Sequence, residues 1–243
     1  YKSATKIIVH TVGVKDDMLK MYKLAPEKIH VVPAVLPIVE HHQENLTKSI
    51  AREKLNLSED DQILLFFGYI RDYKGLDILL DAFELTKPAF PNLKLLIAGK
   101  PHTDELHQQY EEQIDRMKSK DSVIFVPQFI PTEDVDYYFS AADAVAMPYK
   151  KIYMSGVLQV AFSYGRAVLA TNVGNFKDNI RQGENGFITN QNTPEEFANI
   201  MSLAFQDIEK LTEMGDRAYQ IHQEYPDCVE IGQMTLEVYN DEH

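Results

Sequence analysis

Cysteine is almost absent: Cys228 is the only one in 243 residues. No intrachain disulfide can form, which fits a reducing, cytoplasmic setting. Long apolar runs are missing too. The longest, Ile63 to Phe67 with its neighbours, falls far short of the roughly 20 residues a membrane span needs. Basic residues are outnumbered, 24 against 37 acidic, for a formal net charge of −13 and a pI near 5.0. Such a chain repels nucleic acid and anionic lipid on average, so no nucleic-acid partner is expected and any polyanion site must be a local basic cluster. The chain opens Tyr1-Lys2-Ser3 without a signal-peptide pattern or an initiator Met, which reads as a fragment or a trimmed chain. Repeats and low-complexity segments are absent. So are GxGxxG, a Walker loop, HExxH and paired Cys/His metal spacing. The closest histidine pair, His41-His42, stands on adjacent residues of an extended linker whose side chains point apart, so no metal site is expected.

What the sequence does have is 44% hydrophobic content, arranged as short apolar runs that alternate with helical patterns. Ile7–Val9 and Ile29–Val32 read as strands around a short helix, Lys15 to Tyr22. Residues 34–48 carry Pro37 and no clear period, as a linker does. After a helical stretch at Ile50–Leu55, buried strands are predicted at Ile63–Phe67, Lys94–Ala98, Val123–Val126, Ala144–Met147 and Ala167–Ala170, with a shorter one at Gly186–Thr189. Helical stretches at 75–87, 103–119, 132–141, 155–164, 175–181 and 194–206 separate or follow them. Continuous apolar strands alternating with helices predict an α/β fold, a doubly wound, Rossmann-like parallel sheet covered on both faces. The expected organisation is 1–40 as a first piece with linker, 41–224 as the large domain and 225–243 as a C-terminal helix, which either closes that domain or packs on a neighbour.

Ligands of such sheets bind at the C-terminal strand ends, where helix N-termini offer unpaired N–H groups. After the first long strand, Gly68 opens a loop holding Arg71 and Lys74. A planar fork and a point charge suit a diphosphate; a solvated loop with ordinary surface charges is the alternative. After the second strand, Gly99 makes room for a helix or a ligand, and His102 follows as a substrate contact or, as lone loop histidines more often are, a bystander. After the third, Phe129 and Ile130 stand where a base could lie, or where core packing would need them; Thr132 is a candidate N-cap. After the fourth, Ser155 as N-cap, Gly156 and Val157 open a helix whose first amides form an anion site by geometry, or a capped helix with nothing bound. Thr171 to Asn175 is a glycine-containing loop at the next strand end.

Four stretches resemble glycosyltransferase family 4, retaining enzymes with two facing Rossmann-like domains: FFGYIRDYKGLDILLDAF (66–83), LKLLIAG (93–99), FSAADAVAMPY (139–149) and SGVLQVAFSYGRAVLATNVGNFKDNIRQGENGFI (155–188). The resemblance implies the GT-B C-terminal, donor-binding domain, with residues 1–40 as a remnant of the N-terminal acceptor domain. It implies transfer of a sugar from a UDP-, GDP- or other nucleoside-diphosphate donor to a glycan or lipid-linked acceptor with retention, as in cell-surface polysaccharide biosynthesis, without a resident cofactor or metal. Arg71 and Lys74 would stabilise the leaving diphosphate; Ser155, Gly156 and Val157 would present amides to its phosphates; Phe129 and Ile130 would flank the base, with Gly68 and Gly99 lining the site. The base-side catalytic residues, the acceptor site and any peripheral membrane contact would belong to the missing half. The family's two glutamates, eight positions apart, align with Ile152 and Val160, so sugar recognition is altered or activity is weak. A non-catalytic nucleotide-sugar-binding module is the runner-up. A nicotinamide-dependent oxidoreductase lacks its GxGxxG, and a sugar-phosphate isomerase or epimerase is weaker still.

Overall fold

The computed structural model describes residues 1, 3–34 and 45–240. The His41-His42 pair and Pro37 lie outside the described residues. In chain order the elements begin with β1 (Ile7–Val9), α1 (Val12–Tyr22), β2 (Ile29–Val31), α2 (Lys48–Lys54), β3 (Gln62–Phe67), α3 (Leu76–Thr86), β4 (Leu93–Ala98) and α4 (Asp104–Arg116). There follow β5 (Val123–Val126), α5 (Val135–Ala141), β6 (Ala144–Met147), α6 (Gly156–Ser163), β7 (Ala167–Thr171) and α7 (Phe176–Asn179). The chain ends with β8 (Gly186–Thr189), α8 (Pro194–Phe205), α9 (Ile208–Gln223) and α10 (Cys228–Asn240).

Two compact units result: Tyr1–Ile38 with Glu224–His243, and Val39–Gln223. In the first, β1 and β2 pair in parallel, Ile7 opposite Ile29 and Val9 opposite Val31. The tail joins this unit: Lys6 Nζ donates to the Val238 carbonyl at 2.8 Å and the Tyr225 hydroxyl to the Ala34 carbonyl at 3.0 Å.

The second unit is a sheet of six parallel strands in the order β5-β4-β3-β6-β7-β8. The chain builds outward from β3 to β5, then returns to place β6 on the other side of β3, so the order reverses between β3 and β6. A crevice forms at such a reversal, above the C-terminal strand ends. Alternate residues of each strand face opposite sides. Leu64, Phe66, Leu95, Ile97 and Leu169 pack on one face under α3 and α8. Ile63, Leu65, Leu96, Val145 and Val168 pack on the other with residues of α2, α5 and α6. Both faces are buried, which is why the strands read as unbroken apolar runs.

Helix α9 falls where the sequence reading places no element. Its Leu211, Met214, Gly215 and Ala218 are buried at helical spacing. Thr132 is not an N-cap: residues Thr132–Asp134 form a 3-10 turn, and α5 starts only at Val135, without a side-chain cap.

Candidate functional site at the carboxyl edge of the sheet

Strand β3 ends in a backbone contact that only glycines permit. Gly68 has a φ of +94°, and its N–H donates to the Ala98 carbonyl at 2.9 Å. A Cβ on Gly99, whose φ is +154°, would sit 2.1 Å from the Gly68 carbonyl oxygen. The strand ends of β3 and β4 are thereby in direct contact. Beyond them, Ile70 N–H donates to the Lys100 carbonyl and His102 N–H to the Ile70 carbonyl, both at 2.9 Å. His102 thus helps hold the loop through its backbone.

Residues Asp72–Lys74 form a 3-10 turn that Gly75 ends at a φ of +70°, and α3 begins at the next residue. A Cβ on Gly75 would lie 1.9 Å from the Pro148 carbonyl oxygen, so this loop is pressed against the one that follows β6. Gly174 makes a similar approach from the loop after β7, its would-be Cβ 2.3 Å from the Ile152 carbonyl.

The turn folds Lys74 back over the strand end. The residue is 6% exposed, and its Nζ donates to the Phe67 carbonyl at 3.3 Å. The ammonium lies 5.6 Å from the centre of the Tyr149 ring, a cation–π distance. It also stands 3.0 Å from where a Gly68 Cβ would be, with Val157 Cγ2 on the same point at 3.7 Å. Lys74 and the first turn of α6 therefore border one small space. Burial, assisted by the nearby Arg71 charge, lowers the Lys74 pKa to about 8. Arg71 itself is exposed.

Ser155 has the extended N-cap backbone of α6, φ −125° and ψ 120°, yet its side chain makes no capping bond. This corrects the expectation of a side-chain cap. The hydroxyl is buried and hydrogen-bonded to Tyr149, leaving the helix's first amides without a side-chain acceptor. Burial pushes the Tyr149 phenol well above its ordinary pKa, so it stays neutral. The Tyr149 carbonyl accepts from Thr171 Oγ1 and from Asn192 Nδ2, the latter at 3.2 Å.

Phe129 and Ile130 separate. Ile130 is 8% exposed and packs into the core beside Tyr138 and Phe139, so its side chain does not flank open space. Phe129 is 58% exposed, its ring centre 6.2 Å from that of Tyr69. Ile152 and Val160, where the resemblance would put glutamates, are half-buried and pack against the core.

Gly68, Gly99, Lys74 and Val157 thus meet at one place, Ser155 joins them through Tyr149, and Arg71 reaches them by its charge. Two partners were not singled out from the sequence. Tyr149 forms the floor beneath Lys74, and its only signal was a polar aromatic at the end of an all-apolar strand. Lys150 pairs with Asp72 at 3.1 Å and Asp77 at 3.0 Å, and its N–H donates to the Tyr73 carbonyl at 2.7 Å, tying the two loops. Among the described residues, no group of three or more His, Cys, Asp or Glu is placed to hold a metal, and no helix is long and apolar enough to cross a membrane.

A family model described as "Glycosyl transferases group 1" matches residues 47–221. An uncharacterized glycosyltransferase of Haemophilus influenzae is 26% identical over 167 residues, 68% of this chain and 46% of that protein. A D-inositol 3-phosphate glycosyltransferase of Corynebacterium glutamicum is 24% identical over 98% of this chain and 58% of that protein. The chain therefore spans about half the length of these curated relatives. Among solved structures, Anabaena HepE superposes with a TM-score of 0.86 in complex with UDP and 0.84 in complex with UDP-glucose. Each is 21% identical over 98% of this chain and 64% of that one. At that identity the likeness establishes the doubly wound parallel fold.

Proposed function

The chain belongs to the group 1 glycosyl transferases, and on that premise we propose that the Val39–Gln223 unit holds a nucleoside-diphosphate sugar by its diphosphate at the ends of β3, β4 and β6. The sugar passes to a glycan or lipid-linked acceptor with retention at the anomeric carbon, as in glycosyltransferase family 4, and no resident cofactor figures in the reaction. The acceptor site belongs to a part of the protein outside this chain, which is about half the length of its relatives. A cytoplasmic setting fits the single exposed cysteine.

The observation that carries this reading is Lys74. It is a buried ammonium that no acidic side chain pairs with among the described residues, set beside a glycine-opened strand end and an uncapped helix start. A buried charge lacking a counter-ion is costly, and a phosphate supplies one. As the bond from the anomeric carbon to the diphosphate oxygen breaks, negative charge grows on the leaving group. In this reading Lys74, Arg71 and the amides of Gly156 and Val157 bear it, and such stabilisation is a major catalytic term. The exposed Phe129–Tyr69 pair offers the base a flat apolar surface.

UDP is the first ligand to test, given the HepE complexes. We expect UDP, GDP or ADP to raise the melting temperature, and Arg71→Ala with Lys74→Ala to abolish the gain, losing ~2–4 kcal/mol of binding. No shift with any of the three removes the proposed donor site. The chain alone is expected to transfer negligible sugar; robust turnover would refute a separate acceptor part. A second reading, a binding module without turnover, is favoured by hydrocarbon at Ile152 and Val160 where the family carries glutamates. Turnover by a longer form of the protein would dismiss it.

A further inference from the structure

A cavity lies at the opposite edge of the same sheet from the proposed donor site, where the strands begin. It is an open hollow of about 490 Å³ between Asn45 and Leu46, α5, α6, the start of β7 and α9. Ligand pockets of this kind run from roughly 300 to 1,000 Å³. Arg166, immediately before β7, lines it with Asp136, Ser163, Thr212, Asp216 and Tyr219.

Arg166 is the unusual member. A guanidinium carries five N–H donors, yet among the described residues this one makes a single hydrogen bond, from Nη2 to the Ser140 carbonyl at 3.4 Å. Its Nε is buried without a partner among the described residues. Burial lowers its pKa against the opposing pull of Asp143 and Asp216, while Arg52 lowers it further. The nearby acids are otherwise engaged or peripheral. Asp143 holds Arg52 Nη2 at 3.0 Å, the Ile63 N–H at 2.6 Å and Lys48. Asp136 accepts from the Tyr164 hydroxyl. Asp216 is exposed on α9. An orphaned donor on a half-buried cation costs stability, and the partner that fits a guanidinium fork is an oxyanion.

The rest of the wall asks for something different. The Ser163 hydroxyl donates to the Val160 carbonyl at 2.8 Å and that of Thr212 to the Ile208 carbonyl at 2.9 Å, which leaves their oxygens as acceptors. The Asp216 carboxylate accepts only. The Tyr219 ring is half-exposed beside them. Three acceptors and an aromatic surface suit a ligand with several hydroxyl donors and a flat apolar face. We infer that this cavity binds a saccharide bearing an oxyanion, with its acid group on Arg166 and its hydroxyls on Ser163, Thr212 and Asp216. The acid group is a carboxylate or a phosphate, and the site is independent of the donor site proposed above.

Titration calorimetry of the full chain with D-glucuronate, glucose 6-phosphate, glucose and inorganic phosphate tests this. At least one of the first two should bind about tenfold tighter than glucose or phosphate, and whichever is tighter identifies the acid group. Arg166→Met should weaken that ligand about tenfold, with Asp216→Asn, a surface change, weakening it about threefold. Arg166→Lys, which keeps the charge but not the fork, serves if the Met variant does not fold. The Arg71→Ala/Lys74→Ala chain should bind the same ligand unchanged, which separates this site from the donor site. Equal binding of glucose, equal binding of bare phosphate, indifference to Arg166, or no binding of either acid ligand would overturn the inference.

Discussion

Two cations of the large unit are equally buried and oppositely treated. Arg52, 3% exposed at the amino edge of the sheet, donates to the Ala141, Ser58 and Glu59 carbonyls and to Asp143. Lys74, 6% exposed at the carboxyl edge, has one carbonyl at 3.3 Å and the face of an aromatic ring. Burial alone therefore does not mark a functional charge. A saturated cation is part of the fold, whereas one left short of acceptors is what the proposed diphosphate site requires.

The comparison can be broken in three ways, from the largest effect down. Asp143→Ala strands Arg52 and Lys48 and should cost ~3–5 kcal/mol of folding stability, read as a lower urea midpoint, while leaving the UDP-induced melting shift intact. A loss below about 1 kcal/mol would show Arg52 to be no more anchored than Lys74. Lys74→Met should do the reverse, weakening UDP about tenfold or more without loss of stability. The sign follows from the lowered pKa of about 8 against 10.5 when unfolded. The charged form is penalised in the fold, fully so below about pH 8, and the penalty is relieved as pH rises towards 10.5. The wild-type chain should thus gain stability across that window, by up to ~3 kcal/mol, and Lys74→Met should be flat there. UDP affinity should fall over the same range as the ammonium is lost. Affinity unchanged up to pH 10 would place the binding charge elsewhere. Smallest is Tyr149→Phe, which keeps the ring under Lys74 but loses the bond to Ser155. About 1 kcal/mol of stability and a few-fold in UDP affinity are expected, and a much larger loss of affinity would make the phenol more than a support.

Much of this was legible before any coordinates. The six strands of the large unit announce themselves because both faces of a parallel sheet are buried, so apolar residues run without interruption. Helix α9 escaped because it is mostly polar and carries Gly215 mid-helix. That glycine is explained only in three dimensions, where a Cβ would lie 2.2 Å from the Gly165 carbonyl. The site shows the same division. Arg71, Lys74 and the glycines could be picked out as loop chemistry at strand ends. That Lys74 is buried, that Ser155 turns to Tyr149 instead of capping α6, and that Ile130 faces inward while Phe129 faces out are choices of partner. Local sequence carries no record of partners that arrive from other strands.

The glycine contacts on the loop after β6 also decide where this protein can be redesigned. Gly75 presses on the Pro148 carbonyl from one side and Gly174 on that of Ile152 from the other, so any bulk added at 75 or 174 would pry the segment from its seat. Tyr153, 73% exposed, and Met154, 39% exposed, lie just past the clamp. A randomised library belongs at those two positions, where side-chain diversity comes without disturbing the frame that holds Lys74.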